Sequence, residues 1–199
     1  LEFRRVLFRS LNELQPDIYT GACHKWMMTP KGSTFLYIKR ELQNQFDPLV
    51  VSWGYKSAMP SHSLFLDYHQ LQGTRDISAF LTIPAAIQFM KEHNWTEVAK
   101  QCRKLVQDNA QRFCDLLKTQ PLAPVNDEFI GQMLSIPIQT SDPVKLYRFL
   151  FDEHKIEIPV MNINNKFYLR YSINAFNSQE DLDKLFGALG DALYAKLIG

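Results

Sequence analysis

The chain has 199 residues, 46% of them hydrophobic and 22% charged, enough to bury a sizeable core in one or two soluble globular domains. A formal charge of +1 argues against nucleic acid as a partner, since that needs clustered cations to neutralise phosphates. After the first few residues charged side chains interrupt every apolar segment, so no membrane span is expected. Cys23, Cys102 and Cys114 are an odd number without a C-x-x-C pair, which signals neither a disulfide framework nor a metal site and makes a reducing cytoplasm the default.

Residues 1–10 read as adapter-derived sequence: Glu2-Phe3 is what a common restriction site encodes, and Arg4 to Ser10 resembles a translated sequencing adapter. The stretch lacks the apolar region and small-residue cleavage site of a signal peptide. Native sequence is then expected to begin near Leu11, within a longer protein.

From there, Ile18 to Cys23 is short and mixed, as expected of a strand edge leading into a turn. Ser33 to Ile38, behind Gly32 and rich in aromatic and aliphatic residues, reads as a buried strand, and Val50 to Trp53 as a shorter one. Tyr55 to Gly73 has no clean period and many Ser, His, Pro and Gln residues, so a long surface loop is expected. Ile77 to His93 and Glu97 to Lys118 carry helical spacing, with Thr96 as the N-cap of the second and Pro121 and Pro124 beyond its end. Met133 to Ile138 follows as a strand, Pro143 to His154 as a helix, and Ile156 to Val160 and Phe167 to Ile173 as strands. A last helix, capped by Ser178 with an acidic first turn, runs to about Leu197. The order after Trp95 makes a compact α+β unit. Residues 11–92 fit the end of a larger α/β domain, and residues 93–199 a complete smaller one.

Three stretches carry chemistry. The first is Gly21-Ala22-Cys23-His24-Lys25-Trp26, followed by the Pro30-Lys31-Gly32 turn and Phe35-Leu36-Tyr37-Ile38. The second is Gly73-Thr74-Arg75-Asp76. The third is Phe167-Tyr168-Leu169-Arg170-Tyr171-Ser172 with Asn174-Ala175-Phe176-Asn177 behind it. Together they resemble the class V aminotransferase-like enzymes, most closely the branch of isopenicillin N epimerase-like and cysteine desulfhydrase-like proteins.

The resemblance implies a fold-type I transferase of the α/β class and pyridoxal 5'-phosphate as cofactor. It makes Lys25 the Schiff-base lysine and, once substrate displaces it, a general base for the Cα proton. His24 is then a donor to the cofactor phosphate, and Thr74 a second phosphate contact that reaches the neighbouring subunit's cofactor. Arg170 becomes the bidentate clamp on the substrate α-carboxylate. A homodimer with a shared active site and an amino-acid substrate come with it. Taken singly, the residues have plainer readings: a solvated turn lysine, a turn histidine without ligand, capping by Thr74 or Asp76, and an arginine paired with an acid such as Asp181. Two departures stand out. Ala22 occupies a position where some relatives carry a phosphate-binding serine, and Pro159 to Lys166 holds no cysteine of the desulfurase kind. Epimerisation, β-elimination from cysteine and transamination all begin with loss of the same Cα proton, so these residues leave the three open. The cofactor-pairing aspartate of the family is not recognised in this chain, which leaves a non-catalytic relative or inactive fragment, kept for subunit association, as the alternative.

Overall fold

A computed structural model describes residues 11–199, which fall into two compact units, 11–93 and 94–199. In the first, a short helix α1 (Leu11–Leu14) leads into β1 (Ile18–Ala22), which pairs antiparallel with β2 (Thr34–Ile38) in the register Gly21 opposite Phe35. Tyr19 and Phe35 meet edge to face at 4.8 Å, and Lys39 closes the far end of the ribbon with a 2.7 Å ion pair to Asp17.

A 3-10 helix at Arg40–Gln45 follows. Val50 to Trp53 forms no strand; the segment has no pairing partner, and Val51 and Trp53 are 65% and 85% exposed. The stretch expected to be a loop contains α2 (Leu64–His69), capped by the Ser63 hydroxyl, which accepts from Leu66 N–H. Gly54 lies so close to this helix that a Cβ there would overlap the Asp67 carbonyl oxygen. The single helix expected over Ile77 to His93 is two, α3 (Ser78–Leu81) and α4 (Ile83–Glu92), because Pro84 lacks an N–H and its ring excludes the carbonyl one turn back.

The second unit is a two-layer α+β structure. Helix α5 (Trp95–Leu116) starts behind Asn94, whose φ of 45° places the left-handed cap two residues before the expected Thr96. Strands β3 (Met133–Ile138), β4 (Val160–Ile163) and β5 (Lys166–Ser172) form an antiparallel sheet in the order β3-β5-β4. Between β3 and β4, helix α6 (Pro143–Arg148) is capped by Asp142 and continues as a π-turn over Phe149–Glu153. β4 therefore begins at Val160, where the sequence led us to expect a strand ending. Asn164 and Asn165, both at positive φ, make the two-residue turn to β5. Helix α7 (Gln179–Tyr194) closes the unit, opened by a Ser178–Asp181 capping box.

Strand alternation sorts the sheet into two faces. Leu134, Ile136, Ile138, Leu169 and Tyr171 point into a core with Val106, Phe113, Leu146, Leu182 and Leu189, all but sealed from water. Each such side chain contributes roughly 1.5–3 kcal/mol on burial. Asn109 and Gln179 tie α5 to α7 through a reciprocal pair of 2.9 Å amide hydrogen bonds. Arg112 adds a 2.7 Å ion pair to Asp183, and its guanidinium lies over the rings of Phe113 and Phe186. The opposite face carries Ser135, Tyr168, Arg170 and Ser172, with Ser135 directly across from Arg170. Among the described residues no helix is long and apolar enough to cross a membrane.

Candidate active site

Lys25 stands on a tight loop that leaves β1 at Ala22 and returns as β2 at Thr34. Its base is held by backbone bonds from Cys23 N–H to the Ser33 carbonyl and from Thr29 N–H to the Cys23 carbonyl, at 3.1 and 3.4 Å. Inside the bracket the Thr29 and Ser33 hydroxyls meet at 3.2 Å, both residues buried, and Cys23 is buried beside them. The loop turns through Met28 at a φ of 58°, with Met28 N–H donating to the Lys25 carbonyl. The outcome is an exposed lysine on a fixed backbone. Among the described residues its Nζ has no hydrogen bond or ion pair.

Gly32 extends this construction. Its φ of 116° suits glycine alone, and an added Cβ would meet the Ala79 Cβ at 3.5 Å. The foot of the lysine loop therefore packs on α3, the helix that follows Gly73 to Asp76. Thr74 itself is exposed and lies four residues ahead of that helix, so it is not at a helix N-terminus as the sequence suggested. Asp76, just ahead of the Ile77 cap, accepts from Ser78 N–H at 2.8 Å, and bonds from Ser78 hold its carboxyl below the usual range. The Thr74 hydroxyl and the half-buried His24 ring both have no hydrogen-bond partner among the described residues.

Arg170 belongs to the other unit, exposed on the centre strand of the sheet. Its guanidinium has no partner among the described residues. Pairing with Asp181 does not occur: the Asp181 carboxylate accepts from Ser178 N–H at 3.0 Å instead. Behind Arg170, Asn174 and Asn177 knit a closed turn, with Asn177 N–H donating to the Asn174 carbonyl and Asn174 N–H to the Asn177 side chain, each at 2.9 Å. That turn fixes the exit from β5 into α7.

Sequence reasoning missed the Thr29 and Ser33 hydroxyl bracket, although both residues flank the visible Pro-Lys-Gly turn. It also missed Ser135, which only strand register places opposite Arg170. Within the expected loop, Tyr55 packs at a tilt on Tyr68, and His69 sits on Phe65 with a ring nitrogen 3.3 Å from the Phe46 carbonyl, whereas His62 is exposed. No cluster of metal-ligating side chains occurs among the described residues.

The first unit thus presents a lysine amine and a threonine hydroxyl, and the second a guanidinium, each without a partner among the described residues and each a donor suited to an anion. The family described as Aminotransferase class-V matches residues 9–185. The chain belongs to the class V aminotransferase family. It is 31% identical to isopenicillin N epimerase of Streptomyces clavuligerus, over 92% of this chain and 48% of that protein. It is 27% identical to a probable chloroplastic L-cysteine desulfhydrase of Arabidopsis thaliana, over 90% of this chain and 40% of the relative. The chain thus spans about half the length of the curated relatives it matches. Among solved structures, an apo cysteine desulfurase from Thermococcus onnurineus NA1 superposes with a TM-score of 0.70 at 21% identity, covering 93% of this chain and 49% of that one. The fold is that of the fold-type I pyridoxal-phosphate enzymes, and family membership carries pyridoxal 5'-phosphate as cofactor. The residues fit that group: Lys25 offers an amine without a partner among the described residues, on a loop whose base is bonded on both sides.

Proposed function

We propose that the full-length protein is a pyridoxal-phosphate enzyme acting at the Cα or Cβ of an amino acid, with Lys25 as cofactor tether and proton carrier. The observation that carries this reading is the lysine loop, with its two-ended backbone bracket, buried hydroxyl pair and unengaged Nζ. Bound pyridoxal phosphate supplies an electron sink for the pair left at Cα when its proton departs. The chain's own groups do the rest. Lys25 would hold the cofactor through Nζ, and the same amine, once free, would accept the Cα proton. His24 would donate a hydrogen bond to the cofactor phosphate, and Thr74 to that of the neighbouring subunit's cofactor, a strong acceptor for an imidazole N–H and a hydroxyl. Arg170 grips the substrate α-carboxylate with two parallel N–H bonds, which orients the Cα–H for removal.

The named relatives are an epimerase and a desulfhydrase, so the proposed reactions are inversion at Cα and β-elimination from cysteine, with transamination as the third. We place the enzyme in the cytoplasm, where the buried free thiols Cys23, Cys102 and Cys114 remain reduced. We also propose a homodimer with a shared active site. Leu49, Trp53 and Met59 support it, being 100%, 85% and 89% exposed within eleven residues, an apolar exposure that marks contact surfaces. Product analysis of the full-length protein with cysteine and a panel of L-amino acids tests the reading. Sulfide with pyruvate identifies elimination, D-amino acids identify epimerisation, and oxo acids identify amino transfer. Absence of all of these products overturns it.

A further inference from the structure

The strand that carries Arg170 borders a cavity of about 270 Å³ within the C-terminal unit. Glu157, Pro159, Arg170, Ser172, Asn177 and Asp181 are among the residues that border it, so one basic and two acidic residues stand around one concavity. The two acids differ. Asp181 is already engaged in the capping box at the start of α7, whereas the Glu157 carboxylate has no partner among the described residues. Position at Glu157 is well defined. The Arg170 N–H donates to the Pro159 carbonyl at 3.4 Å, and Ile158, between Pro159 and Glu157, is anchored in the core at 3% exposure. Glu157 is therefore a carboxylate without a hydrogen bond or ion pair among the described residues, on a segment fixed to the strand of Arg170.

We propose that Glu157 sets the charge preference of the Arg170 site, favouring amino acids whose side chain is neutral or carries an ammonium group and disfavouring those with a second carboxylate. The inference rests on the proposed role of Arg170 as clamp for the α-carboxylate. A side chain extending from a carboxylate held at Arg170 enters the field of Glu157. Two unit charges about 7 Å apart, the spacing of diagonal neighbours across paired strands, alter binding by roughly threefold to sevenfold at an effective permittivity of about 40 to 80.

The test uses the full-length holoenzyme with a neutral amino acid as substrate. Inhibition constants are measured for ornithine, norvaline and glutamate, which match in length and differ in side-chain charge. Glu157→Gln is expected to lower the ratio of the glutamate to the ornithine constant at least threefold, with norvaline little changed, and Glu157→Lys to lower it further. Because Glu157 is exposed, both variants retain the fold, which an unchanged thermal midpoint verifies. A ratio within twofold of wild type in both variants overturns the inference. Arg170→Ala in the same assay keeps the two ideas apart: weakening of all three inhibitors alike upholds the clamp, and no weakening removes it whatever Glu157 does.

Discussion

Lys25 and Arg170 share one physical trait, a side chain with no hydrogen bond or ion pair among the described residues, and in this they differ from the ion-paired cations of the chain. Lys39, Lys104 and Arg112 each sit in an ion pair of 2.7 Å, and Lys155 donates to the Asp152 carbonyl. Lys25 and Arg170 have no such partner among the described residues, although each stands on backbone bonded to its neighbours. An unsatisfied cation on a rigid strand is preorganised for an anion, since little ordering remains to be done when the ligand arrives. For Arg170 the expected consequence is specific to substrate. Arg170→Ala should raise the KM for amino acids at least tenfold in the full-length enzyme, corresponding to loss of a charge-assisted bond of about 1.5–3 kcal/mol, while the cofactor's visible absorbance stays as it was. Arg170→Lys should recover part of the loss, because a point charge replaces the planar fork. An unchanged KM in Arg170→Ala contradicts the assignment. These two residues stand out as candidates in the sequence because their neighbours form motifs. Thr29, Ser33 and Ser135 were not, because their roles come from a loop closure and a strand register that adjacent residue types do not encode.

Secondary elements show where local pattern suffices and where it fails. β3 appears over the span its alternation indicates, Met133 to Ile138, and α5 and α7 follow their helical spacing because each buries a stripe against the same sheet. Val50 to Trp53 has strand composition but no strand to pair with, and composition alone supplies no partner. Pro84 divides one apolar period into two helices, and Ser63 nucleates a helix in a segment too short and polar to show a period. The Asn164-Asn165 turn moves β4 towards the chain's end, a signal readable in hindsight from two residues that tolerate positive φ.

The sheet also has a pH signature. Tyr171 packs on Phe113 with ring centroids 5.3 Å apart and donates to the Val106 carbonyl at 3.4 Å. Burial, helped by the neighbouring Cys114, pushes its phenol well above the usual tyrosine range, with Arg112 opposing. The folded state therefore keeps a proton that the unfolded chain releases near pH 10. Stability from this group is fully present below that pH and falls as pH rises beyond it, by up to about 1.4 kcal/mol per pH unit until the folded phenol itself ionises. Urea titrations of the chain between pH 9 and 11.5 should show that decline, and Tyr171→Phe should flatten it at the cost of about 1 kcal/mol at neutral pH. An equal alkaline slope in the variant would remove Tyr171 as its cause.

At the scale of the molecule, two compact units bring different chemistry. Residues 11–93 carry Lys25, His24 and Thr74 on a two-stranded ribbon and its helices, and residues 94–199 carry Arg170 on a three-stranded sheet with its own core. Among the described residues, the hydrophobic core cluster lies in the second. The first leaves Leu49, Val51, Trp53, Met59 and Leu81 at least 65% exposed, and the chain spans about half of the relatives it matches. The central claim is that Lys25 is the residue that holds pyridoxal phosphate, and it is tested most directly by fixing the bound cofactor with borohydride in the full-length protein and mapping the modified peptide by mass spectrometry. The account predicts a reduced pyridoxyl group on Lys25, with loss of that label and of the yellow colour in Lys25→Ala. A label on another lysine such as Lys31, or a protein that binds no cofactor at all, would contradict it.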